Sequence, residues 1–179
     1  MRRIILIDRD RCIGCYSCIV ACKLEHDLPP YPAHPPIGDP KGPAFIRVDQ
    51  FGPEIRDGEV YQYFQPILCM HCPDAPCIEV CPQSAIYKDA ETGIVMVDQD
   101  QCMGCRSCLE ACPYGAPQFH DGKLNLCDLC FHRPEERRRE GRYTACEAAC
   151  PARAIQVGPF DEIAVRPERK TAERAGKEA

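Results

Sequence analysis

The apolar positions of this chain fall in short runs. Ile4 to Ile7 is bounded by an Arg pair and Asp8 and reads as a short strand. Ile94 to Val97 reads the same way, and Phe45 to Val48 and Val60 to Phe64 supply two further strand candidates. A tight cysteine loop follows each of the runs at Ile4 and Ile94, and the last cysteine of a loop is expected on a brief helix. Pro82, Pro113 and Pro151 stand just past such cysteines, where a proline stops the helix. No stretch approaches the length of a membrane span. The N-terminal run is also too short for the apolar region of a signal peptide, so Arg2 and Arg3 make a poor export signal.

The pattern repeats. Asp8 to Cys22 reads DRDRCIGCYSCIVAC and Asp98 to Cys112 reads DQDQCMGCRSCLEAC, sharing both Asp residues, every Cys, and the equivalents of Gly14, Ser17 and Ala21. Leu68 to Cys72 is echoed by Leu126 to Cys130, and both of those segments run on to Cys-Pro-x-x-Ala-Ile, at Cys81 to Ile86 and Cys150 to Ile155. The order A, B, A′, B′ points to a duplicated unit. Gly14 and Gly104 lie inside the first and third cysteine loops, where a missing side chain lets backbone N–H groups approach sulfur.

Composition sharpens this. The 179 residues include 16 cysteines, a density at which cross-links rather than a core hold a small chain together. They form four groups: Cys12, Cys15, Cys18, Cys22; Cys69, Cys72, Cys77, Cys81; Cys102, Cys105, Cys108, Cys112; and Cys127, Cys130, Cys146, Cys150. The first and third are C-x2-C-x2-C-x3-C runs, the bacterial ferredoxin signature, in which the fourth Cys ligates the other cluster of a pair. Three cysteines on one loop cap three corners of a cubane, and the fourth points away towards a second cluster. The second group is widened by Asp74, Ala75 and Pro76, and the fourth takes a larger insertion between Cys130 and Cys146. Structural zinc sites use paired C-x2-4-C knuckles, and three cysteines at successive x2 gaps suit one tetrahedral ion poorly. A disulfide framework is disfavoured by the poor export signal and the Cys-Pro endings. Four [4Fe-4S] clusters are therefore expected. Their thiolates would deepen the formal net charge of -5 by roughly -8, a balance that excludes nucleic acid as a partner.

The remaining residues carry less. His71 lies between Cys69 and Cys72 and is expected behind the ligands or at the surface; His26, His34, His120 and His132 show no ligand spacing. Tyr16 and Tyr114 stand beside ligands and are expected to shield cluster faces. No Ser-His-Asp arrangement, paired carboxylates or phosphate loop is evident, so no catalytic residue is assigned. Residues 23–66, Pro-rich and without cysteine, form an insertion expected to face a partner. Arg133 to Arg142 is a run of mixed charge, read as a solvated loop or helix or as a docking segment. Residues 161–179 form a charged tail.

Together these motifs resemble the four-cluster ferredoxin-like, electron-transfer subunit of dimethyl-sulfoxide-reductase-type and related molybdenum or tungsten oxidoreductases. The likeness spans roughly residues 1 to 160. It implies an α+β fold of two ferredoxin-like lobes related by duplication, one of residues 1–22 with 123–160 and the other of 67–122. It also implies nested pairing of the groups: Cys12, Cys15, Cys18 with Cys150; Cys22 with Cys127, Cys130, Cys146; Cys69, Cys72, Cys77 with Cys112; and Cys81 with Cys102, Cys105, Cys108. Its implied partners are a large molybdo- or tungstopterin catalytic subunit and a second redox subunit: a flavoprotein, a quinone-linked anchor or a ferredoxin. A cytoplasmic complex without a direct membrane span is expected, with export beside a signal-bearing partner as the alternative. A free soluble polyferredoxin is the competing function.

Overall fold

The computed structural model describes residues 3–29, 44–133, 143–159 and 163. Residues 30–43 of the Pro-rich segment, the charged run after Arg133 and nearly all of the tail lie outside these residues. The architecture is small and α+β: short helices among antiparallel strand pairs, as in small ferredoxin-like folds. The strands are β1 (Arg3–Ile7), β2 (Ile46–Arg56), β3 (Glu59–Leu68), β4 (Ile86–Lys88), β5 (Val95–Val97), β6 (Gln118–His120), β7 (Lys123–Asn125) and β8 (Ile155–Pro159). The helices are α1 (Ser17–Glu25), α2 (Pro76–Glu79), α3 (Ser107–Ala111) and α4 (Ala145–Ala148).

β1 pairs with β8, from Arg3 opposite Pro159 to Ile7 opposite Ile155, so the two ends of the described chain close on one another. β4 pairs with β5 and β6 with β7 over three residues each, the latter around Asp121 and Gly122, both at positive φ. β2 and β3 form one long hairpin that extends well beyond the expected Phe45–Val48 and Val60–Phe64. Its tip is Asp57-Gly58, with φ of 52° and 84°, the left-handed pair that matches hairpin twist. The base of that hairpin belongs to the core: Ile46, Val48 and Leu68 are buried, whereas Phe51, Ile55, Val60 and Tyr61 are exposed. The insertion is thus a core element at one end and a bare ribbon at the other. One apolar core runs through Ile5, Ile19, Ile46, Val48, Leu68, Ile86, Val95, Leu124, Ile155 and Val157, with the cysteines among them.

The helices begin around the third cysteine of each group rather than carrying the last. Cys18, Cys77, Cys108 and Cys146 lie on α1 to α4, but only Cys22 among the fourth cysteines is helical. Cys81, Cys112 and Cys150 each precede a proline, and a residue before proline is pushed out of the α region. Cys112 accordingly has ψ of 116°. Lys23 follows Cys22, so α1 continues to Glu25.

Candidate metal centre

All sixteen cysteines are free thiols, with no disulfide among them. The loop before each long run is built the same way. Asp8 Oδ1 accepts the Asp10 and Arg11 amides at 3.1 and 3.3 Å, and Asp98 Oδ1 accepts those of Asp100 and Gln101 at 2.9 and 3.3 Å. The Asp8 amide donates to Ala154 O at 2.8 Å and the Asp98 amide to Ala85 O at 2.7 Å, tying each loop to a Cys-Pro-x-x-Ala-Ile segment. Gly14 and Gly104 have φ of 65° and 72°. A Cβ on Gly14 would meet the Phe64 ring at 2.5 Å, and one on Gly104 would lie 2.0 Å from Gly122 O. Glycine is required by both the dihedral and the space.

Two open clefts lie beside these loops. One is lined by Cys12, Cys15, Cys18 and Cys150, with Tyr16 on its wall. The other is lined by Cys81, Cys102, Cys105 and Cys108. Of the thiols outside these clefts, Cys22, Cys69, Cys127, Cys130 and Cys146 are buried and Cys72, Cys77 and Cys112 half-buried. Burial pushes Cys22 up to about 12, and the nearby Cys146 and Cys130 add to it. Burial likewise raises Cys69 to about 12, with Cys77, Cys112 and Cys72 contributing. Cys127 is driven well up by burial, then by Cys146, Cys22 and, from the second group, Cys69. Links of this kind also join Cys18 to Cys146 and Cys108 to Cys77.

The surroundings suit thiolates bound to a cation. A buried thiolate is unfavourable alone, yet amides are aimed at sulfur: Ala154 to Cys150 at 3.2 Å, Ala116 to Cys112 and Leu124 to Cys102 at 3.4 Å, and Ala145 to Cys130 at 3.5 Å. The Gly14 amide does the same for Cys12. The two outermost thiols differ from the rest. Cys15 and Cys105 are exposed, and hydrogen bonds from Ser17 and Ser107 hold them below the ordinary thiol range. These donors offset negative charge on sulfur wherever iron would place it.

Several side chains stand where the sequence left the place open or did not put them. Of its two expected places His71 takes the one behind the ligands: it is buried, and its Nδ1 accepts the Val95 amide at 2.9 Å and lies 3.9 Å from Cys69 Sγ. Burial lowers its imidazole to about 4. His26, without ligand spacing in the sequence, has Nε2 at 3.9 Å from Cys130 Sγ and 3.7 Å from Asp128. Its neighbour His132 bridges Asp128 at 3.0 Å and Glu25 at 3.1 Å. Arg133 clamps Glu25 through both of its oxygens, and that clamp, aided by the nearby His132, pulls Glu25 down to about 2 against the opposing effect of burial. Thr144, which caps α4, is buried with Oγ1 at 3.2 Å from Cys146 Sγ. Tyr114 is exposed; instead of its ring, its carbonyl is used, accepting from Arg47 of β2 at 2.8 Å. His120 meets Asp121 at 3.3 Å, and His34 lies outside the described residues. Ser17, Ser107 and Thr144 were missed as partners of sulfur, although Ser17 and Ser107 are repeated positions that could have been read as such.

A fold of short strands and helices threaded by free thiols, with amides pointed at sulfur, defines an iron–sulfur protein. A family model described as "4Fe-4S dicluster domain" matches residues 60–160, and a second, "4Fe-4S binding domain", matches residues 3–24. The sequence is 40% identical to the B subunit of anaerobic dimethyl sulfoxide reductase from Escherichia coli K12, over 88% of its own length and 73% of that protein. It is 34% identical to the thiosulfate reductase electron transfer subunit PhsB of Salmonella typhi, over 91% and 79%. It is 35% identical to hydrogenase-2 operon protein HybA of Escherichia coli O157:H7, over 97% of its own length and 56% of that protein. This protein therefore belongs to the 4Fe-4S electron-transfer subunits of oxidoreductase complexes, which are not the catalytic subunits. Among the described residues no helix is long and apolar enough to cross a membrane.

Proposed function

We propose that the chain is a relay of four [4Fe-4S] clusters between a molybdo- or tungstopterin catalytic subunit and a second redox partner. The ligand sets are those of nested pairing: Cys12, Cys15, Cys18, Cys150; then Cys22, Cys127, Cys130, Cys146; then Cys69, Cys72, Cys77, Cys112; then Cys81, Cys102, Cys105, Cys108. The observation that carries this is the approach of thiols across the groups. Cys150 joins Cys12 at one cleft, Cys81 joins Cys102 at the other, Cys22 neighbours Cys146, and Cys112 neighbours Cys77. Electrostatic influence between sets then runs in one order, Cys146 on Cys18, Cys69 on Cys127, and Cys77 on Cys108, which favours a line over a cage.

Each cubane exchanges one electron at a time. The chain's own residues set where electrons enter and leave. The exposed Cys15 and Cys105 mark the two ends, and the buried cysteines of the middle keep water out. The matching Asp8 and Asp98 loops support the reading of a duplicated unit with two lobes, residues 1–22 with 123–160 and residues 67–122. The bare outer half of the β2–β3 hairpin supports a partner-facing role for the insertion. Partners of the kinds named for its relatives, reductases of sulfur compounds, fit this reading, as do aldehyde or acyl-CoA oxidoreductases.

Elemental analysis of the complex purified anaerobically from its native host tests this. About sixteen irons per chain, with molybdenum or tungsten in a co-purifying large subunit, is the expected result. The same iron without a second metal or partner identifies a free polyferredoxin. In Cys12→Ser, one cluster should be perturbed and electron relay broken while the large subunit keeps its pterin; loss of all iron would contradict four separate sites.

A further inference from the structure

His71 holds an unanswered proton. The Val95 amide donates to its Nδ1, so the ring proton sits on Nε2. That nitrogen is buried and has no hydrogen-bond partner among the described residues. Packing does not ask for a polar ring here. The equivalent position in the fourth group is Leu129, which is 1% exposed, and both residues have the same left-handed backbone, φ 47° and 55°. In both, the backbone amide donates to the preceding cysteine, Cys69 or Cys127. A leucine thus fills the corresponding site in this same chain. The imidazole adds one thing that leucine lacks, a buried N–H donor at Nε2, on a ring whose Nδ1 lies 3.9 Å from Cys69 Sγ.

We propose that His71 Nε2–H donates a hydrogen bond to a sulfur of the cluster held by Cys69, Cys72, Cys77 and Cys112, making His71 a positioning residue that raises this cluster's potential. The inference rests on the four-cluster reading above. A donor stabilises negative charge on sulfur more in the reduced cluster than in the oxidised one, so it favours reduction. It touches a middle member of the line, where a potential shift alters the passage of every electron.

The test is a potentiometric titration of the purified complex followed by electron paramagnetic resonance, on the unmodified chain, His71→Leu and His71→Gln. His71→Leu copies Leu129, and His71→Gln restores a donor near the place of Nε2. The expected result is a fall of one midpoint potential in His71→Leu by about tenfold in the reduction equilibrium, which is about 59 mV for one electron. The other clusters should be unmoved, iron per chain unchanged, and the shift partly reversed in His71→Gln. Four clusters whose potentials ignore His71→Leu, or a shift in a different cluster, would overturn the inference alone. Fewer than four reducible clusters in the unmodified chain would overturn the four-cluster reading and this inference with it. Should His71→Leu lose iron, pulsed resonance on a His26→Gln complex labelled with nitrogen-15 histidine decides. His26 is removed because it approaches Cys130. A histidine nitrogen coupled to a reduced cluster supports the proposal, and its absence overturns it.

Discussion

The loops of residues 8–22 and 98–112 share nine of fifteen residues and the same hydrogen bonds to the leading Asp side chain, yet their helices differ in length. α1 has nine residues and α3 has five. The local code accounts for this in one position: Pro113 forces Cys112 out of the helix, while Lys23 lets α1 run on to Glu25. That extra turn is then used. It carries Glu25 to Arg133 and His132, and His26 to Asp128, fastening the first loop to the segment after Cys130. Among the described residues the shorter helix makes no such clamp; the segment just after it is joined to the β2–β3 hairpin through Arg47 and the Tyr114 and Gly115 carbonyls. One motif can therefore sit in two environments, because its fold is local and its attachment is not.

The most severe way to break the likeness is at the paired glycines. Gly104→Ala should cost about 4 kcal/mol or more and strip iron from its loop, because the new methyl overlaps the Gly122 carbonyl on rigid backbone. Gly14→Ala first meets the Phe64 ring, a side chain rather than backbone, so about 1–3 kcal/mol is expected from the left-handed dihedral. Iron per chain and thermal melts of the two variants, side by side, measure the difference. Equal losses would show that the Phe64 ring is as unyielding as backbone.

Glu25→Gln removes what only the longer helix has. A loss of about 1.5–3 kcal/mol is expected from the charged hydrogen bonds to Arg133. The sign of its pH dependence follows from a carboxyl lowered from 4.5 to about 2. Its contribution is complete above the ordinary value of 4.5 and fades as pH falls towards about 2. Stability of the unmodified chain should decline through that window more steeply than that of Glu25→Gln; parallel curves would dissolve the clamp. His132 works oppositely: burial opposes its charge, but Asp128 and Glu25 outweigh it and raise the group, so its contribution is present at low pH and lost above its ordinary value.

The smallest effect concerns how the helices start. α1 and α3 are preceded by Tyr16 and Arg106 in left-handed conformations without a side-chain cap, whereas α4 has Thr144 accepting the Glu147 amide at 3.3 Å. Thr144→Ala should cost about 1 kcal/mol and Thr144→Ser almost nothing, with chemical denaturation as the measurement.

Cysteine spacing is a covalent property of the chain, so the metal chemistry, the shared loops at Gly14 and Gly104 and the strand before each were legible residue by residue. Prolines and the Asp57-Gly58 turn act over one or two residues and were equally open to reading, although the helix ends were misjudged by placing the fourth cysteine on the helix rather than the third. For His71 the sequence left two places open, behind the ligands or at the surface, because burial is a property of everything packed around a residue. The nearness of His26 to Cys130, which are 104 positions apart, was not legible. Which atoms could bind iron and how each loop would bend were open to reading along the chain, since those depend on near neighbours. Which thiols lie close across the core, which stay exposed, and which proton lacks a partner among the described residues came from the packing of distant segments. Those follow from the closing of β1 on β8 and the burial of the hairpin base, where distant segments exclude water together.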